Sequence, residues 1–185
     1  MVRGDWTIHS TTEEYTNPWI SVVHHEVTTP GGTTGIYGEV VFKNKAIGII
    51  PIDDQGYTYL VGQYRFPLQR FSWEIPEGGG PLGESSLESA KRELKEEIGC
   101  TAQYWEPFLE IDLSNSVTNE VAEVFLATEL SLGESSPEET ENLEVRKLHF
   151  SELYNEVVEG KHRDSITVAA VLKLGILRPE LIIKK

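Results

Sequence analysis

The chain has 185 residues, of which 39% are hydrophobic and 25% charged, enough to bury the core of one domain with a small appendage. Its formal net charge of -14 argues against binding nucleic acid or an anionic membrane, since both would repel it, while cations would gather around its carboxylates. Cys100 is the only cysteine, which excludes an internal disulfide, and neither a secretory signal nor an apolar stretch of about 18 residues is visible, so a cytoplasmic protein is expected.

In chain order, residues 6–45 are predicted to form short strands. Segments 19–24, 25–29 and 37–42 are rich in β-branched and aromatic residues, and Pro30-Gly31-Gly32 is a turn signal between the last two. Residues 46–52 are apolar and lead into the turn Asp53-Asp54-Gln55-Gly56. Residues 57–64 alternate and end at Arg65, and a short strand over 71–75 runs into Pro76-Glu77-Gly78-Gly79-Gly80-Pro81. Ser85 and Glu88 read as a capping box and Gly99 as a stop, so a helix is predicted between them. It carries Leu87, Ala90, Leu94 and Ile98 on one stripe, which faces the core. Further strands are expected over 103–113, 122–127 and 145–150, an acidic loop over 129–144, and helices over 151–159 and 165–176. No structural repeat is evident. Strands separated by helices imply an α/β fold, a mixed sheet with helices on both faces.

On the helix before Gly99, Glu93, Glu96 and Glu97 fall within an arc of roughly 100° beside the core stripe. Glu93 and Glu97 are an i,i+4 like-charge pair, which costs a few tenths of a kcal/mol, about 0.2–0.5, unless something neutralises it. Standing alone, these carboxylates would read first as a solvated acidic helix face. As a group they suit Mg²⁺ or Mn²⁺, which take oxygen ligands. No His or Cys spacing here suggests zinc.

These carboxylates do not stand alone. Gly78, then five residues, Glu84, then seven residues, and Arg92-Glu93-Leu94-Lys95-Glu96-Glu97-Ile98-Gly99-Cys100 form the pattern of the Nudix box. The chain thus resembles Nudix hydrolases, which cleave nucleoside diphosphates linked to another moiety. The resemblance implies a Nudix α/β/α sandwich with a mixed sheet. It implies that Glu93 and Glu97 are the principal metal ligands, with Glu96 assisting and the main-chain carbonyl of Glu77 contributing. It makes Gly78, Glu84 and Arg92 structural, the last two as a pair bracing loop against helix. Gly78-Gly79-Gly80 is expected to turn tightly and approach the metal. Cys100 stands where the family prefers an aliphatic residue, so it is expected to pack rather than react.

Outside the box, Tyr15-Thr16-Asn17-Pro18-Trp19, Gln63-Tyr64-Arg65 and Ser72-Trp73-Glu74-Ile75-Pro76 resemble the ADP-ribose and nucleotide-sugar pyrophosphatase branch. That likeness implies two parts: residues 1–45, a small N-terminal antiparallel β-subdomain for dimerisation and substrate contacts, and residues 46–185, the catalytic domain. A homodimer is the expected assembly. Arg65 is then a phosphate-binding residue, or else a surface arginine at a strand end. Glu74 would touch substrate or the partner, or only end its strand. Trp19 is a base-stacking ring or a core aromatic, and the same alternatives apply to Trp6 and Trp73.

For the general base, the loop Glu138-Glu139-Thr140-Glu141-Asn142 resembles the family's acidic loop. Glu139 is favoured and Glu141 is an alternate base or metal ligand, with Glu120 a weaker candidate; a solvated loop is the plain alternative. Asp164 or Ser165 reads only as a helix cap.

Two departures bear on the substrate. The family often has Pro-Ala-Gly before the box, where this chain has Pro76-Glu77-Gly78, adding a carboxylate. No proline follows between Pro107 and Pro137, where ADP-ribose pyrophosphatases commonly carry one. This shifts the first expectation from ADP-ribose toward nucleoside diphosphate sugars such as GDP-mannose or ADP-glucose. A Nudix-fold regulator that binds without hydrolysing is the reading from another class, opposed by the intact box. A calcium-binding module is less consistent still, since the alternating Asp/Asn loop of an EF-hand is missing.

Overall fold

A computed structural model describes residues 1–133 and 143–183. The chain opens with a four-stranded antiparallel sheet: β1 (Val2–Arg3), β2 (Trp6–Thr16), β3 (Ile20–Thr28) and β4 (Thr34–Phe42), in that order. The strands are longer than expected. Segments 19–24 and 25–29 are one continuous strand, because His25 is a strand-interior residue engaged on both sides. Its Nδ1 lies 2.9 Å from Thr11 Oγ1 on β2, and its Nε2 lies 3.1 Å from Glu39 Oε2 on β4. The expected turn joins β3 to β4, with Gly32 at φ +83° in the left-handed region.

Two further sheets form the body. Strands β5 (Asn44–Pro51), β6 (Tyr57–Arg65), β7 (Arg70–Glu74), β8 (Glu77–Pro81), β9 (Cys100–Asp112), β10 (Val121–Leu132) and β11 (Glu144–His149) are arranged as β8-β5-β10-β9 and β11-β6-β7. Among the described ladders of these two sheets, β5 and β10 pair in parallel and the others are antiparallel. Among the described residues the α-helices are α1 (Ser86–Ile98), α2 (Phe150–Val158) and α3 (Ser165–Leu177).

Alternation along β5 sets the layers. Ile47 and Ile49 point into a cluster with Ala90, Leu94 and Ile98 of α1, while Ile50 points into one with Leu153, Ile166, Ala170 and Leu174 of α2 and α3. Strand β10 divides likewise, with Phe125 and Ala127 on the first side and Val124 and Leu126 on the second. This is the expected α/β/α sandwich with a mixed sheet and an N-terminal antiparallel β-sheet. The stripe Leu87, Ala90, Leu94, Ile98 faces the core, and Cys100 is fully buried beside it. Residues 129–132 belong to β10 rather than to an acidic loop, because Leu132 still pairs with Cys100 of β9. Among the described residues no helix is long and apolar enough to cross a membrane.

Helices α2 and α3 touch where Gly175 faces Tyr154. A β-carbon there would lie 2.3 Å from Tyr154 Cε2. Gly175→Ala is therefore expected to destabilise the protein by about 1–3 kcal/mol through overpacking, read as a lower Tm, even though alanine favours helix. An unchanged or raised Tm would show that Tyr154 moves aside freely.

Candidate active site

The cap of α1 aims its acidic face. Ser85 Oγ accepts from Glu88 N at 3.2 Å, and Gly99 closes the helix at φ +66°. The Glu88 carboxylate pairs with Lys91 at 2.7 Å, so the capping box is realised in its Ser85 half.

The glycine run before α1 corrects an expectation. Gly78-Gly79-Gly80 does not turn; it lies extended within β8, with Ile47 opposite Gly78. None of the three has a positive φ. Glycine is required for closeness instead. A β-carbon on Gly78 would fall 2.1 Å from Glu93 Cδ and 2.4 Å from each of its oxygens, so the Glu93 carboxylate sits directly over that backbone. Glu97 is buried, 3% exposed, and its Oε2 accepts from Glu77 N at 3.0 Å. The structure thus gathers Glu77, Gly78, Glu93 and Glu97 at one point. Glu96 lies outward of them, joined through Arg92.

Arg92 fastens helix to strand. It donates to Gly79 O at 2.9 Å, to Glu93 Oε1 at 2.6 Å and to Glu96 Oε2 at 3.1 Å. Its ion pair with Glu84 is longer, 3.6 Å, and Ser89 Oγ donates to Glu84 at 2.6 Å. Both residues lie between the loop before α1 and the helix itself.

A second charged group adjoins the first. Arg65, at the end of β6, donates through Nε to Glu74 Oε2 at 2.9 Å and through Nη2 at 2.5 Å to both Glu74 Oε2 and Glu77 Oε1. One carboxylate oxygen each from Glu74, Glu77 and Asp164 lies within 4.8 Å of the others. Asp164 does cap α3, accepting from Thr167 N at 2.7 Å, but it also faces this group. Burial, then the charges of Asp164 and Glu74, push the Glu77 carboxyl well above the usual carboxylate range, against the pull of Arg65. Glu77 Oε2 is buried without a hydrogen-bond partner.

These residues open onto a cavity of about 730 Å³, whose wall includes Trp19, Lys45, Arg65, Leu68, Glu77, Glu120 and Asp164. Trp19 is 64% exposed at this wall and is not a core aromatic. Trp6 packs edge-on against Tyr37, and Trp73 against Phe71. Burial pushes the Glu120 carboxyl up. Glu139 and Glu141 lie outside the described residues.

Sequence reasoning missed Lys45 and the second role of Asp164. Lys45 Nζ pairs with Glu123 at 2.5 Å and lies opposite Gly80 in the β5–β8 ladder. Neither residue belongs to a recognisable spacing, so only the fold could bring them in.

The donor set fits a hard divalent cation. It is all oxygen, partly buried, and includes the orphaned Glu77 Oε2. Among the described residues the carboxylates within mutual ligand distance are Glu74, Glu77 and Asp164. Glu93 and Glu96 share the Arg92 guanidinium instead.

Fold and site define the class: an α/β/α sandwich that presents an acidic helix and a glycine strand to a polar cavity. The NUDIX domain profile matches residues 43–168, and the profile described as the nucleoside diphosphate sugar hydrolase N-terminal domain matches residues 6–44. The chain belongs to the Nudix family and is a Nudix hydrolase. It is 31% identical over 176 residues to a protein of Mycobacterium tuberculosis named ADP-ribose pyrophosphatase, covering 93% of this chain and 84% of that one. It is 32% identical over 159 residues to a Bacillus subtilis protein of the same name, covering 85% of each. A solved structure titled as an ADP compounds hydrolase superposes with a TM-score of 0.84 at 19% identity over 95% of both chains, which shows a shared fold.

Proposed function

We propose that the protein hydrolyses the pyrophosphate bond of a nucleoside diphosphate linked to a sugar, with Mg²⁺ or Mn²⁺ as cofactor. Water adds across the P–O–P link, leaving a nucleoside monophosphate and a sugar phosphate: a sugar 1-phosphate from ADP-glucose or GDP-mannose, ribose 5-phosphate from ADP-ribose. The observation that carries the reading is the convergence of Glu77, Glu93 and Glu97 around Gly78, beside a cavity holding Arg65. The names of the two relatives weigh toward ADP-ribose, against the missing proline, so adenine diphosphates are the first substrates to test.

Glu93, Glu97 and the Glu77 carbonyl would hold the cation, with Glu96 assisting. Bound there, it would offset phosphate charge and acidify a water. Arg65 would orient the diphosphate with its guanidinium fork. Trp19 would offer its exposed ring to the base, and Glu74 would hold Arg65 in place. Glu139 remains the favoured base, with Glu141 as alternate. Glu120 gains support from its place on the cavity wall and its raised carboxyl. Residues 1–45 would serve dimerisation, to be read from molar mass by light scattering.

The decisive experiment offers ADP-ribose, ADP-glucose, GDP-mannose and UDP-glucose to the protein with Mg²⁺, and separately with EDTA. Nucleoside monophosphate is followed by chromatography. Turnover of at least one substrate, abolished by EDTA, is expected. No turnover on the whole panel, with ligand binding retained, would replace this reading by that of a non-hydrolysing regulator.

A further inference from the structure

We propose that the Glu77 carboxylate occupies the seat on Arg65 that a substrate phosphate takes, so that Glu77 is displaced on binding and sets how tightly the diphosphate is held. This rests on the reading of Arg65 as a phosphate-binding residue. Three observations carry it.

First, Arg65 is oriented by one carboxylate and occupied by another. Glu74 receives both Nε and Nη2, a fork that fixes the guanidinium plane. Glu77 Oε1 takes Nη2 alone. Losing Glu77 therefore leaves Arg65 aimed as before.

Second, Glu77 is poorly held. No donor group lies against its Oε2, and its Oε1 receives a single hydrogen bond, from Arg65 Nη2. Glu74 and Asp164 present like charges within 4.8 Å. An anion that takes Arg65 Nη2 therefore has one hydrogen bond to displace.

Third, the competitor has room. Arg65 and Glu77 both line the 730 Å³ cavity, and Arg65 is 32% exposed there against 12% for Glu77. A diphosphate brings several acceptor oxygens and more charge to the guanidinium than a single carboxylate oxygen does. The displaced carboxylate can turn toward the cavity.

The test is calorimetric titration of the full chain with ADP in EDTA, where binding is read without turnover. The proteins are the unaltered chain, Glu77→Ala, the near-isosteric Glu77→Gln, Arg65→Ala, and the Arg65→Ala/Glu77→Ala double variant. Removing the competing carboxylate is expected to tighten ADP about tenfold, the scale of one charge-assisted hydrogen bond. Arg65→Ala is expected to weaken it, and the double variant to bind no tighter than Arg65→Ala alone, because the effect of Glu77 passes through Arg65. A purely structural Glu77 would instead lower the Tm and weaken binding.

Three results overturn the proposal in different ways. Weaker or unchanged binding in both Glu77 variants, with Arg65→Ala still impaired, removes the competition and keeps the phosphate role. Tightening that persists in the double variant shows a general charge effect on anions. Unchanged binding in Arg65→Ala removes the phosphate role itself.

Discussion

Glu97→Gln is expected to lower turnover by about 10²- to 10³-fold while the fold survives. The argument is local. Glu97 is 3% exposed, and its Oε2 accepts from Glu77 N at 3.0 Å, tying α1 to β8. Glutamine has the same size and keeps a carbonyl oxygen for that bond. Only the charge is lost, and the charge is what a divalent cation and the phosphates around it require. Monophosphate release at saturating Mg²⁺, with Tm as the control, separates the two effects. Turnover near that of the unaltered chain would move the cation away from Glu97, toward the group formed by Glu74, Glu77 and Asp164.

Gly78→Ala is expected to cost about 100-fold in turnover, with a stability loss of about 1–3 kcal/mol. The new β-carbon would lie 2.1 Å from Glu93 Cδ. Either the Glu93 carboxylate leaves its position or β8 shifts off α1, and displacement by an ångström is enough to impair a metal site. Gly83→Ala is the matched control, because a β-carbon there meets nothing within 4 Å. Full activity in Gly78→Ala would show that Glu93 acts from another rotamer and that the closeness of β8 to α1 is incidental.

These two variants mark a boundary in what was legible. The boundaries and inner stripe of α1 could be read from residues because they depend on local spacing: a cap at Ser85, a stop at Gly99, and apolar residues every three or four positions. The role of Gly78 was read less well. Three successive glycines carry no strand pattern, so they suggested a turn, and only the pairing of β8 with β5 shows them extended. The division of β3 failed for a similar reason, since the partners of His25 lie on two other strands. Trp19 could not be assigned from sequence, because a ring in or beside a strand can face either way.

By itself, then, the sequence determined helix α1, its acidic face and the Nudix family, since one short segment carries them at fixed intervals. Only the tertiary structure decided that Arg65, Glu74, Glu77 and Asp164 form one charged group. They come from the ends of β6 and β7, the start of β8 and the cap of α3. No periodicity links these four segments; the register of the sheets and the packing of α3 across β5 set their distances. The same holds for the closeness of Gly78 to Glu93, where a pattern names both residues but only packing brings a carboxylate onto a backbone.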